Sequence, residues 1–401
     1  MLIVVENLPS PFDRRVWLEA TTLAKAGNTV SIICPTGKGY EKRFEVLEDV
    51  AIWRHPLPLE ASGALGYLLE YGAALFWQLV LSVRVAMTRG FDVMHACNPP
   101  DTIFIVGALF KIFGKGFLFD HHDLCPELYE AKFGKRGRMW EALAFLERCT
   151  FRTADVVIST NQSYRAVALD RGGKRPEDVF IVRSGPDLSR WPSEPVGDPK
   201  WRKGRAHLVG YVGVMGEQEG LDLLLAAVRH IVEVRNRTDI QFVLVGDGSH
   251  RRTIETMAGD MGLSDYVTFT GRVPDAELIS ALASSDVCVN PDSPGVLNDK
   301  STMNKIIEYM AIRKPIVQFD LTEGRFSAQG SSLYATPGDT ADFGEKILEL
   351  IDDPARRAEM GQIGRQRVED ELAWGRQVDT LLAAYNRTFS KMGHARSLEA
   401  A

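Results

Sequence analysis

The stretch at residues 290–317 has the residue types and spacing to hold a phosphorylated ligand. It reads NPDSPGVLNDKSTMNKIIEYMAIRKPIV. The loop up to Asp299 is rich in Pro, Asp, Asn and Gly, which break regular structure. Ser301 or Thr302 can then cap a helix whose apolar positions Met303, Ile306, Ile307 and Met310 keep helical spacing. A helix N-terminus offers free N–H groups and a positive dipole end, which suits a phosphate. Lys300 and Lys305 add cationic charge there. Glu308, three residues after Lys305, shares its side of the helix and can accept two hydrogen bonds from a ribose. The alternative is an ordinary capped helix with Glu308 solvated.

Other chemistry-bearing residues sit in loops. Asp120-His121-His122-Asp123 follows the strand-like run at 116–119. Ligands gather at the C-terminal ends of parallel strands, so one histidine is placed to line a site. Neighbours on a strand point to opposite faces, so both cannot serve one ligand. No spaced histidines or carboxylates join them, and no metal is expected. The alternative is a satisfied histidine at a strand end. Arg14 and Arg15 open a helix where cations oppose its dipole, which suggests an anionic ligand or else solvated arginines. Asn98-Pro-Pro-Asp follows another strand and is either a site loop or a turn capped by Asp101. Val245-Gly246-Asp247-Gly248 ends a strand in a tight loop but lacks the spacing of a nucleotide fingerprint.

The elements that must position these residues alternate. Strands are expected at 2–6, 29–34, 50–55, 91–96, 116–119, 154–159 and 179–182, with helices between them. The pattern fades among Pro186, Pro192, Pro195 and Pro199 and restarts at 208–212, continuing to 332–335. Such alternation implies parallel sheets covered on both faces. The reading is a first domain at 1–190, a linker at 191–204, a second domain at 205–375, and a tail at 376–401 whose helix crosses back to the first domain.

With 401 residues, two domains are the default. Apolar and charged contents of 45% and 25% fit a soluble globular protein, and a net charge of -6 argues against a nucleic-acid surface. Five cysteines without a CxxC pair point to reduced thiols in a cytoplasm. The chain opens on a strand, so no secretory signal is expected. Residues 61–82 are apolar enough to consider for a membrane, but Glu70, Gln78 and several glycines interrupt them. A buried helix is expected, or one face against lipid.

Taken together, these segments resemble the retaining glycosyltransferases of the GT-B fold, of the group 1 (family 4) class. YVGVMGEQEGLDLLLAAV, FVLVGDGSHR, VTFTGRVPDAELISALASSDVCVNPD and STMNKIIEYMAIRKPIV are similar to that class's second-half motifs. NLPSPFDRRVWLEA, HACNPPD and DHHDLCPELYEAKF resemble a branch associated with bacterial surface-polysaccharide assembly. The resemblance implies an α/β architecture of two doubly wound Rossmann-like domains facing across a cleft. It implies donor contacts at Gly213, Gly246, Arg272, Lys300, Ser301, Thr302, Lys305 and Glu308, and acceptor contacts at Phe12, Arg14, Arg15 and Asn98. His122 matches the class's histidine near the reacting sugar. The chain also departs from the pattern. Lys300 stands where the first glutamate of a Glu-x7-Glu pair belongs, and Val214 and Glu219 replace the usual arginine and lysine. Asp299 is the nearest substitute carboxylate, and Lys300 and Lys305 the nearest substitute cations.

The implied function is transfer of a hexosyl or N-acetylhexosaminyl group from a nucleoside diphosphate sugar to a hydroxyl, with retention and without a metal. The implied acceptor is borne on a polyprenyl diphosphate, with the protein cytoplasmic and weakly peripheral on the inner membrane face. Two alternatives stay open: a GT-B sugar-nucleotide epimerase, and a non-catalytic sugar-nucleotide binding protein.

Overall fold

The computed structural model describes residues 1–56, 63–394 and 397–399, and only the backbone between 63 and 71. The chain divides into two compact units, Met1–Ser184 with Gln377–Ala401, and Gly185–Arg376.

The first unit is an eight-stranded sheet in the order β3-β4-β2-β1-β5-β6-β7-β8. Its strands are β1 (Leu2–Val4), β2 (Val30–Pro35), β3 (Phe44–Leu47), β4 (Val50–His55), β5 (Val93–Cys97), β6 (Gly116–His121), β7 (Val156–Ser159) and β8 (Val179–Ile181). All pairs are parallel except β3 with β4. Most run as unbroken apolar stretches such as VSIICP, because helices cover both faces. β3 is an edge strand that the sequence hides. Its two-residue turn, Glu48-Asp49, holds both residues in the left-handed region without the glycine that usually marks such a hairpin. Helices α1 (Arg14–Lys25), α2 (Gly63–Thr88), α3 (Phe104–Ile112), α4 (Cys125–Phe133), α5 (Arg138–Thr153) and α6 (Gln162–Asp170) connect the strands. α3 lies so close to β6 that a Cβ at Gly107 would come within 2.6 Å of the Phe117 ring.

The second unit is a wholly parallel six-stranded sheet in the order β11-β10-β9-β12-β13-β14. The strands are β9 (His207–Val212), β10 (Ile240–Val245), β11 (Val267–Gly271), β12 (Val287–Asn290), β13 (Ile316–Phe319) and β14 (Ser332–Ala335). Alternate residues feed two cores. Tyr211, Phe242, Leu244 and Val289 join one, and Leu208, Val212, Val243 and Cys288 the other. The helices are α7 (Leu221–Arg229), α8 (Arg251–Asp260), α9 (Asp275–Ser284), α10 (Val296–Lys300), α11 (Asn304–Ala311), α12 (Thr322–Ala328), α13 (Thr340–Ile351) and α14 (Pro354–Arg367). The segment read as a linker belongs to this unit, because Trp191 is buried in its core and Trp201 packs beside it.

The last helix, α15 (Val378–Lys391), returns to the first unit and packs against β6, β7 and β8. Its buried side chains include Leu381, Tyr385 and Phe389.

Helix α2 covers most of the apolar segment, although residues 61 and 62 and the side chains up to 71 lie outside the described residues. Beyond them it has two faces. Ala74, Gln78, Leu81 and Val85 are buried, whereas Phe76, Val80, Val83 and Met87 are exposed at the same helical spacing. Among the described residues, no helix is long and apolar enough to cross a membrane.

Candidate functional site

In the first unit the site grows from the end of β6. Asp120 and His122 are two apart on an extended segment and therefore share a face. His122 Nε2 lies 2.6 Å from Asp120 Oδ2. Arg15, on α1, grips the same carboxylate with Nε at 3.0 Å and Nη2 at 2.8 Å. Arg15 Nε is also 2.9 Å from His122 Nε2. Arg15 Nε–H already donates to Asp120 Oδ2, and an ionised carboxylate 2.6 Å away can only accept, so Nε2–H donates to Asp120. His122 Nδ1 then carries the lone pair, and the side chain keeps 14% of its surface open.

Asp120 is fully buried. Burial pushes its carboxyl up, but the charge of Arg15 and the adjacent His122 outweigh this and hold it well below the usual range. Glu19 goes the other way, raised by burial and by the charge of Asp120 despite Arg15. The two carboxyls are thus driven apart, Asp120 towards its anion and Glu19 towards its neutral form. Glu19, His95, Cys97 and Asp120 bring metal-ligand atoms within 4.8 Å of one another. Residue spacing carries no sign of this convergence. Arg15 lies against two of these groups and supplies the positive charge that a metal ion otherwise would.

Two expectations change here. Arg15 is no surface arginine awaiting an acceptor: its remaining nitrogen donates to Val182 O and Ser184 Oγ, so its bonding is complete inside the unit. Asn98 is also spent internally. Its Oδ1 accepts from His122 N at 2.7 Å and Asp123 N at 3.1 Å, and its Nδ2 donates to Asp123 O at 2.7 Å. It fixes the turn that carries His122. His121 packs among Phe151 and Tyr164, on the other side of the strand. Arg14 is exposed and Phe12 half-buried in the loop before α1, whose N-cap is Asp13.

The second unit revises the donor set. The expected capped helix is two: α10, then Ser301 to Met303 as a link, then α11. Ser301 donates to Leu297 O at 2.7 Å in α10, and α11 begins after Met303 with no side-chain cap. Asp299 is not a free carboxylate. Its two oxygens accept from Thr322 N at 2.8 Å and Thr322 Oγ1 at 3.0 Å, so it satisfies the first free N–H of α12. Lys305 is buried, donating to Glu219 Oε2 at 2.7 Å and Asp292 Oδ1 at 3.0 Å above the Tyr211 ring. Its single positive charge is outnumbered by the two carboxylates it bridges, leaving none to spare for a ligand. Lys300 and Glu308 stay half-buried, Thr302 likewise, and Arg272 is exposed.

Gly213 and Gly246 stand at the ends of β9 and β10. Their role is close backbone packing: Gly213 N donates to Val245 O, and a Cβ at Gly246 would meet Gly213 O at 1.9 Å.

Residues 13–190 match the model of "Glycosyltransferase Family 4", and residues 206–353 that of "Glycosyl transferases group 1". The phosphatidyl-myo-inositol mannosyltransferase of Mycolicibacterium smegmatis is 30% identical over 356 residues, 88% of this chain and 84% of that one. This chain belongs to the group 1 (family 4) glycosyltransferases. The 2-deoxystreptamine glucosyltransferase of Streptomyces kanamyceticus is 26% identical over 250 residues, 60% of this chain. That match spans only 62% of the relative's length. Among solved structures, sucrose-phosphate synthase from Thermosynechococcus elongatus superposes with a TM-score of 0.77 at 19% identity, covering 98% of this chain and 100% of that one. Anabaena HepE, in complex with UDP and glucose, gives 0.71 at 15% identity, covering 97% and 98%. At such identity the structures show the fold, which is the GT-B pair of Rossmann-like units.

Proposed function

We propose that this chain transfers a hexosyl or N-acetylhexosaminyl group from a nucleoside diphosphate sugar to an acceptor hydroxyl, with retention. The observation that carries this reading is the Asp120–His122 pair at the C-terminal end of β6, in a chain of this family. A histidine fixed as the Nε2–H tautomer presents Nδ1 to accept a hydroxyl hydrogen bond from a sugar, and its paired carboxylate stabilises any positive charge that develops on the ring. The second unit would bind the donor: Glu308 the ribose, and the start of α11 with Lys300 the diphosphate. Lys305 drops out of this set because Glu219 and Asp292 hold it. UDP and glucose in the HepE structure support a nucleoside diphosphate sugar as donor class.

The acceptor reading is a lipid-linked glycan such as one on a polyprenyl diphosphate, and it rests on the first unit's surface. Besides the exposed stripe of α2, the neighbouring α3 exposes Ile105, Leu109 and Ile112 at helical spacing, followed by Phe113. Arg84 and Arg89 lie near the C-terminal end of α2, both exposed. Apolar stripes beside cations fit shallow, peripheral contact with an anionic membrane. The deciding experiment incubates the protein with UDP-, GDP- and dTDP-sugars, with and without a lipid-linked acceptor extract, and separates the products. Transfer only with acceptor supports the reading. A changed sugar without acceptor would make the protein an epimerase, and binding without turnover a non-catalytic sugar-nucleotide binder.

A further inference from the structure

The buried cluster behind His122 reaches a residue from the far end of the chain. His95, on β5, is fully buried with its Nε2 facing two carboxylates, Asp120 Oδ2 at 3.4 Å and Glu19 Oε2 at 3.6 Å. Its Nδ1 lies 2.8 Å from the hydroxyl of Tyr385 on α15. Nε2 faces the ionised Asp120 carboxylate, so it carries the proton, and Nδ1 must accept from Tyr385. The tyrosine is also fully buried. One hydroxyl thus fixes the ring of His95, His95 faces Asp120, and Asp120 fixes the tautomer of His122. Arg15 and Glu19 from α1 and Cys97 from β5 complete the surroundings.

We propose that Tyr385 is a positioning residue for His122, acting through His95 and Asp120, so that α15 governs the proton affinity and tautomer of the site histidine. The proposal rests on the reading of His122 as the working histidine, but its test does not need turnover. In a chain labelled with 15N-histidine, long-range proton–nitrogen spectra report the tautomer and titration midpoint of His122, assigned from His122→Ala. In Tyr385→Phe the midpoint should move by about half a unit or more, roughly a threefold change in proton affinity. Asp120→Asn should move it further in the same sense. Arg387→Met is the control: Arg387 also anchors α15, bonding Asp178 at 2.9 Å, but lies outside the chain of contacts. Its midpoint should match the native protein. If Tyr385→Phe leaves tautomer and midpoint unchanged while Asp120→Asn shifts them, the proposal is overturned. It is equally overturned if Arg387→Met shifts them as much as Tyr385→Phe. Should Tyr385→Phe fold poorly, His95→Gln cuts the same path and must give the same shift. An active His122→Ala enzyme would instead remove the functional reading, leaving the spectroscopic result standing.

Discussion

The ammonium of Lys305 lies 2.7 Å from Glu219 and 3.0 Å from Asp292, so a cation expected at a ligand is the bridge between two carboxylates. Removing one member of a buried pair leaves charge without compensation, at a cost of about 3–5 kcal/mol. Lys305→Met should therefore lower the stability of the second unit by about that amount in urea unfolding. A variant of native stability with weakened nucleotide binding would return Lys305 to the donor set.

Glu308→Ala should weaken donor binding through two lost ribose hydrogen bonds, each about 1.5–3 kcal/mol to a charged acceptor before the compensating water contacts are counted. Calorimetry with UDP and with GDP measures this. Unchanged affinity for a nucleotide that the native protein binds would remove Glu308 from the site.

His122→Ala should reduce kcat by about a hundredfold, within the range for a positioned proton-handling group, with little change in donor affinity. Asp120→Asn should reduce it less, because the ring stays but its tautomer is freed. Full turnover in His122→Ala would make the histidine structural.

Asp101 gives the pH dependence. Burial, with the charge of Glu147, pushes its carboxyl from 3.8 up to about 7. A raised carboxyl binds its proton more tightly in the fold, so its contribution is intact below about pH 4 and is lost as pH rises towards 7. The full shift corresponds to roughly 4 kcal/mol as an upper bound. Asp101→Asn should flatten the decline in stability between pH 4.5 and 7.5. A native and a variant curve that stay parallel across that interval would contradict the assignment.

The exposed stripes of α2 and α3 should bind anionic vesicles weakly, at about 1 kcal/mol for each arginine near the surface. Flotation with phosphatidylglycerol vesicles should succeed at low salt and fail at high salt. Ile112→Asp with Phe113→Asp should abolish it. Binding that survives high salt and alkaline carbonate would mean insertion, and no binding at either salt would leave the faces without a membrane role.

The alternation of strands and helices was readable because parallel strands buried on both faces are short apolar runs, and most expected strands stand where the sequence put them. The edge strand β3 was not, since its turn uses Glu48 and Asp49 in place of glycine. His122 was found by its position after β6, and the i, i+2 spacing of Asp120 could have revealed its partner. Glu19, His95 and Tyr385 could not be reached this way, because only folding brings together residues so distant in sequence. The same limit hid the internal partners of Lys305, Asp299, Arg15 and Asn98. Each has the right residue type beside the right loop, and each is consumed by a partner that spacing does not disclose.

The return of α15 to the first unit also bears on biosynthesis. β6, β7 and β8 lack one covering helix until residues 378–391 have left the ribosome, after about 190 intervening residues. At 5–20 residues per second that wait lasts roughly 10 to 40 seconds. The second unit is contiguous and can finish folding first, reversing the usual N-terminal-first order, while an apolar sheet face awaits its cover. Ribosome-arrested chains should show it: the second unit becomes protease-resistant in chains ending near residue 376 with a flexible extension spanning the exit tunnel, and the first unit only once α15 emerges. A first unit that resists protease before then would mean that its sheet tolerates the missing helix.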